Sequence, residues 1–142
     1  DAIKVADVNQ LARNVVITPN SNEFKILFKE DPSKDIEKRI KQVYEKAREF
    51  NTTILLKGHI DIISNGENTF INKNNSVYMT KGGTGDSLAG ITAAMLCQDT
   101  DLAEAAAAAA FINGYTGRTI AVSLNRSPSQ LLYYQPLCHN RL

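Results

Sequence analysis

Residues 80–90 read TKGGTGDSLAG, and this run decides how the rest of the chain is read. Gly82, Gly83 and Gly85 free the backbone to curl with its N–H groups exposed. From Asp86 to Cys97 the chain continues as DSLAGITAAMLC, with no charge after its first residue, which implies a helix covered on all sides. A glycine loop running into such a helix combines unpaired N–H donors with a partial positive charge, and so forms an anion pocket. Asp86 stands where loop becomes helix, beside any phosphate held there. A carboxylate in that place can take a proton from a hydroxyl that attacks the phosphate. The same residue types also suit a plain helix start, because Asp is a frequent N-cap. Three glycines in four positions go beyond what a cap requires. The run is neither a Walker loop, which would end in Gly-Lys-Ser/Thr, nor GxGxxG.

Upstream, strands and helices alternate. Asn14–Thr18 (NVVIT) and Thr53–Lys57 (TILLK) are compact apolar runs, expected as buried strands. Between them, Ser21 is positioned to cap a helix reaching Glu30, and Asp31-Pro32-Ser33 opens a second helix that runs to Phe50. In that second helix Ile36, Ile40, Val43, Tyr44, Ala47 and Phe50 form one apolar stripe, and every position between them from Glu37 to Glu49 is charged or Gln. Ile60–Ser64 and Thr69–Asn72 flank an Asn65-Gly66 turn signal, and Val77–Thr80 adds a third short strand. Asp1–Arg13 reads as a short first helix. Leu102–Leu124 reads as an alanine-rich one with a break at Gly114 or Gly117, and Ser127-Pro128 starts a last short one. The order implies an α/β layered sheet with a small antiparallel addition near residues 60–80.

The 142 residues fit one domain or part of a larger one, and the formal charge of +1 gives no basic footprint for nucleic acid or for a membrane surface. No apolar run approaches the roughly 20 residues a bilayer needs. Two cysteines make no disulfide framework, and neither they nor His59 and His139 stand at metal-ligand spacing. Cys97, inside an apolar helix, is expected as a small core residue, and Tyr133-Tyr134 is a weak interface signal. A cytoplasmic, soluble protein is expected. The opening Asp1-Ala2-Ile3 lacks an initiator Met, which suggests a processed product or a fragment.

Two further segments carry chemistry. Lys57-Gly58-His59-Ile60-Asp61 follows a buried strand, at the strand end where α/β sheets bind ligands; Lys57 can meet a phosphate as a point charge, with Gly58 allowing close approach. An ordinary solvated lysine before a turn explains the same residues. Thr18–Phe24 (TPNSNEF) also follows a strand, and its Asn20, Asn22 and Glu23 equally suit a turn and a helix start.

Taken together, TPNSNEF, KGHID and GGTGDSLAG resemble the ribokinase-like superfamily, and within it the ADP- or ATP-dependent NAD(P)H-hydrate dehydratases. The resemblance spans about residues 1–124 and matches the C-terminal half of such a domain, so residues 1–142 are expected to be that half. It implies a three-layer sheet flanked by helices and an incomplete domain. The implied reaction phosphorylates the hydroxyl of hydrated NADH or NADPH from ADP or ATP with Mg2+, then expels phosphate to restore the reduced nucleotide.

Carried over by position, Asp86 would be the base and also touch the substrate. Gly82, Gly83, Thr84 and Gly85 would hold phosphate, and Lys57, Gly58, His59, Ile60 and Asp61 would border the nucleotide. Asn20 and Glu23 would contact substrate, and no residue is assigned to metal. The chain departs from the family where Asn20 replaces a histidine, Asn22 a glycine and Asp61 a threonine. The implied partners are the missing N-terminal half of the domain or another copy in a homo-oligomer. A small-molecule kinase of the same superfamily, for a vitamin precursor or a sugar, and a non-catalytic nucleotide-binding or assembly module stand as alternatives.

Overall fold

The computed structural model describes residues 7, 11–74, 83–98 and 100–124. Four strands form one sheet in the order β1-β2-β3-β4: β1 (Val16–Ile17), β2 (Thr53–Leu56), β3 (Asp61–Ser64) and β4 (Thr69–Asn72). β1 runs parallel to β2, with Val16 opposite Thr53; β2–β3 and β3–β4 are antiparallel, with Leu55 opposite Ile63 and Ile63 opposite Phe70. Four helices accompany the sheet: α1 (Ser21–Phe28), α2 (Ile36–Glu49), α3 (Thr84–Leu96) and α4 (Leu102–Leu124).

The alternation of side chains along the strands divides the core in two. Ile17, Ile54, Leu56 and Ile62 point to one face, where they meet Phe24, Leu27 and Phe28 of α1 and Val43 and Ala47 of α2. Val16, Leu55, Ile63 and Phe70 point to the other, against Leu88 of α3 and the buried alanines of α4. Both faces of the sheet are covered, which is why β2 and the centre of β3 read as unbroken apolar runs. Helix–sheet–helix is the expected three-layer architecture.

Several local expectations need correcting. The first strand is shorter than NVVIT and only half-buried; among the described residues β2 is its one partner in the sheet. Asn20, not Ser21, caps α1; its side chain accepts from the Glu23 amide, and the helix ends at Phe28 because Lys29 turns left-handed at φ 56°. Asp35 caps α2 by accepting from the Lys38 amide, and the stripe through Ile40, Val43 and Ala47 packs as expected while Ile36 stays exposed. α4 runs unbroken through Gly114 and Gly117. The β3–β4 hairpin forms at Asn65-Gly66: Asn65 Oδ1 accepts from the amides of Glu67 (3.0 Å) and Asn68 (2.7 Å). Gly66 sits at φ +82°, and a Cβ there would fall 2.6 Å from the Arg48 Cα, so glycine is required twice over.

The largest difference concerns α3. Only Leu88 and Thr92 are buried, while Ala89, Gly90, Ala93 and Ala94 are exposed, so the expected all-round cover is absent among the described residues. Cys97 is likewise exposed at the helix end rather than in the core. The strand expected at Val77–Thr80, the first helix over most of Asp1–Arg13 and everything after Leu124 lie outside the described residues, together with Gly82, Tyr133-Tyr134 and His139. Among the described residues no helix is long and apolar enough to cross a membrane.

Candidate phosphate site at the strand ends

Because β1 and β2 are parallel, their C-terminal ends lie at the same edge of the sheet, and the loops leaving them meet there. The Lys57 amide donates to the Pro19 carbonyl at 2.8 Å, tying the two loops together. α3 brings its N-terminus to the same place. A Cβ built on Gly85 would fall 3.3 Å from Lys57 Nζ, so the ammonium stands directly against the first turn of α3. The three segments singled out in the sequence, TPNSNEF, KGHID and GGTGDSLAG, therefore share one edge of the sheet.

Lys57 is held there by charge. Its Nζ lies 3.5 Å from Glu23 Oε2, and both side chains are mostly buried, at 23% and 20% exposed. Glu23 also closes a capping box with Asn20: the Asn20 amide donates to Glu23 Oε2 at 2.6 Å, and the Glu23 amide donates to Asn20 Oδ1 at 2.9 Å. One carboxylate thus fixes both the start of α1 and the lysine. Asn20 is exposed, and its Oδ1 is taken by the cap.

At the head of α3, Gly83 is the N-cap at φ 93°, a left-handed turn that suits glycine, and it makes no side-chain cap bond. The first intrahelical bond runs from the Ser87 amide to the Gly83 carbonyl at 3.1 Å, so the Gly85 and Asp86 amides precede the helical ladder. Asp86 occupies the first turn without capping it, and it makes no hydrogen bond or ion pair with any described residue. Asp86 is exposed, against the enclosure its sequence context suggested, and among the described residues no element covers the face of α3 it borders. Thr84 and Gly85 are half-buried.

The remainder of KGHID divides. Gly58 and His59 are exposed and Ile60 half-buried. Asp61 is 3% exposed and turned into the fold: Oδ1 accepts from the Gly58 amide at 3.0 Å and Oδ2 from Asn72 Nδ2 at 3.1 Å. Asn72 Nδ2 donates also to the Ala110 carbonyl at 2.9 Å, joining Asp61 through β4 to α4. The negative charge that replaces threonine is thereby engaged inside the protein.

Two residues of this edge escaped the sequence reading. Asn72 looked like an ordinary strand end. Arg39 counted only as one of the charges on α2, although it lies four residues before buried Val43 and so on the inner side of the helix. The arrangement can bind an anion by a lysine and helix-terminal amides, and it offers one free carboxylate beside it. Among the described residues no three His, Cys, Asp or Glu side chains gather as a metal cage.

The α/β layered fold is of the ribokinase-like class, and solved structures of that class superpose on this chain. A family profile described as NAD(P)H-hydrate dehydratase matches residues 1–134, and the chain belongs to that family. It is 50% identical over 112 residues to the ADP-dependent (S)-NAD(P)H-hydrate dehydratase of Nitrosopumilus maritimus, covering 79% of this chain and 39% of that protein. It is 41% identical to the bifunctional NAD(P)H-hydrate repair enzyme of Pyrobaculum aerophilum, covering 87% of this chain and 25% of that protein. Among solved structures, the ADP/ATP-dependent NAD(P)H-hydrate dehydratase of Bacillus subtilis co-crystallized with ATP/Mg2+ aligns with a TM-score of 0.69 at 28% identity, over 77% of this chain and 39% of that one. A hydroxyethylthiazole kinase from Pyrococcus horikoshii aligns with a TM-score of 0.71 at 28% identity, over 83% of this chain and 46% of that one. The chain therefore spans less than half the length of each of these relatives.

Proposed function

We propose that this chain is the catalytic-loop half of an NAD(P)H-hydrate dehydratase domain, acting on hydrated NADH or NADPH with ADP or ATP as phosphoryl donor. The observation that carries the reading is the position of Lys57 Nζ against Gly85 at the head of α3. It supports a phosphate cradle made from two segments far apart in the chain, in the family whose members are named for this reaction.

In this reading Asp86 accepts the proton of the hydrate's hydroxyl as that oxygen bonds to phosphorus, while the bond to the donor nucleotide breaks. Lys57 and the Gly85 and Asp86 amides offset the charge gathering on the phosphoryl oxygens. Hydroxide is a poor leaving group; once phosphorylated, the oxygen departs as phosphate with the C–O electron pair, and the adjacent ring carbon loses a proton to solvent as the double bond of the reduced ring re-forms. Gly82, Gly83 and Thr84 continue the cradle, Gly58, His59 and Ile60 border the nucleotide, and Asp61 shapes that loop from inside. Asn20 and Glu23 lie on the substrate side, where the Asn20 Nδ2 remains outside the capping box. Mg2+ would arrive on the nucleotide's phosphates and keep several waters. When bound, such a cation neutralises phosphate charge.

The apolar face of α3 and the outer edge of β1, both uncovered among the described residues, are what a covering half would occupy. We infer that residues completing the domain, from the same polypeptide or a second copy, close the site over Asp86 in a cytoplasmic enzyme. The chain alone is expected to associate in sedimentation experiments, and a compact, stable monomer would contradict this. The functional test supplies the completed domain with hydrated NADH and ADP or ATP. Regained NADH with released phosphate supports the proposal. Phosphorylation of a different small molecule would make the protein a kinase of this fold, and nucleotide binding without turnover a non-catalytic module.

A further inference from the structure

Arg39 reaches the strand-end edge from the opposite layer of the fold. Its Nη2 donates to the Lys57 carbonyl at 3.3 Å and to Ser21 Oγ at 3.4 Å. A Cβ built on Gly58 would fall 2.9 Å from Nη2 and 3.5 Å from Cζ of the same guanidinium. Gly58 does not have a positive φ; a side chain there would press on the guanidinium and on the Ile60 carbonyl, 3.2 Å from the same Cβ position. The Gly58 amide is held from the other side by Asp61 Oδ1 at 3.0 Å. Arg39 Nε is buried and finds no acceptor among the described residues. Leaving a guanidinium N–H unsatisfied costs free energy, and desolvation accordingly pulls the Arg39 pKa down while the Asp61 charge pulls it back up. A group kept in place at that cost is one whose remaining contacts matter.

We propose that Arg39 is a positioning residue for nucleotide binding: it clamps the Lys57-Gly58 turn between α1 and Asp61 so that the Lys57 ammonium stays against the head of α3. The proposal rests on the phosphate site described under the proposed function. It assigns the small size of Gly58 to the arginine above it and not to a ligand. Ser21, at the first position of α1, links the same guanidinium to the Asn20–Glu23 capping box. Two of the loops are thus tied directly to one side chain, and the third meets it through Lys57, whose ammonium stands against Gly85.

The test uses the completed domain and four proteins: wild type, Arg39→Ala, Gly58→Ala and the double variant. Arg39→Ala is expected to raise the KM for ADP by about 10-fold or more with a smaller change in kcat, as loss of charged hydrogen bonds implies. Millimolar guanidinium should recover part of that loss, and Arg39→Lys should be intermediate. Gly58→Ala should impair ADP binding in the wild-type background, because it displaces the guanidinium, and add less than about 2-fold on top of Arg39→Ala. An ADP KM within about 2-fold of wild type in Arg39→Ala overturns the proposal. So do losses that are additive between the two sites and insensitive to guanidinium. Hydrogen exchange at the Gly58 and His59 amides gives a readout that needs no nucleotide: faster exchange in Arg39→Ala supports the clamp, and unchanged exchange overturns it. If wild type itself binds no ADP, the proposed function fails, and the exchange result still decides the clamp.

Discussion

The two helical layers of this protein are finished to different degrees. On one side, α2 carries a single apolar stripe inward and an almost wholly charged surface outward, and α1 buries Phe24, Leu27 and Phe28 beneath it. Phe24 and Phe28 pack with ring centroids 4.7 Å apart, and Phe28 meets Phe50 at 5.3 Å. On the other side, α3 and α4 are apolar nearly all round, yet each presents apolar residues to solvent. Phe111 and Tyr115 on α4 stack on one another at 5.8 Å while 50% and 57% exposed. An amphipathic helix needs one partner surface; a helix without a polar face needs two. The glycine loop before α3 belongs to the layer in which the described residues supply only one.

The comparison can be broken by substitution. Phe24→Ala, at a fully buried site, should destabilise the chain by about 3–5 kcal/mol in urea unfolding, whereas Phe111→Ala should cost less than about 1 kcal/mol. Equal costs would mean that the α3–α4 layer is as complete as the other. In the completed domain the Phe111 cost should grow if that face is covered.

A smaller loss tests the hairpin that ends near the site. Gly66→Ala combines a positive φ with a backbone clash, and should cost about 1–3 kcal/mol, visible as a lowered melting temperature. Asn20→Ala removes half of the capping box and should cost about 1 kcal/mol, while also loosening Glu23 and with it Lys57. If ADP affinity is unchanged in Asn20→Ala, the link from cap to lysine is not functional.

The smallest effect belongs to the solvated side. Lys46 sits 2.9 Å from Glu49 and 3.7 Å from Glu30, and the bond to Glu49, opposed by partial burial, raises its pKa. A raised folded value means the stabilisation is complete below the unfolded lysine's pKa and disappears as pH climbs through the folded one. Solvent screening keeps it within about 0–1 kcal/mol, so Lys46→Gln should flatten the alkaline end of the stability profile by no more than that.

Much of this was legible from residue patterns. The stripe on α2, the Asn65-Gly66 hairpin and the apolar strands each follow a local period or a turn preference that the tertiary structure reinforces. The convergence of the TPNSNEF and KGHID loops follows from parallel strands placing their ends together. What could not be read were facts set by distant partners. Asn20 and Glu23 resembled either a helix start or ligand contacts, and only the coordinates show both engaged in one capping box. Asp61 resembled a charge near a nucleotide until its bonds to Gly58 and Asn72 were seen. Arg39 was hidden among the charges of a solvated helix, because what pulls it inward is a carbonyl eighteen residues away. The exposure of Asp86 among the described residues is set by what packs on α3 from elsewhere, which no local pattern records.

The central claim is that Asp86 does proton chemistry beside a phosphate held by Lys57 and the head of α3. Turnover and ADP affinity measured together on Asp86→Asn in the completed domain test it most directly. Turnover of hydrated NADH should fall by about 100-fold or more, with the ADP dissociation constant within about 2-fold of wild type. Turnover that survives the substitution would contradict the account, as would ADP binding lost in step with it.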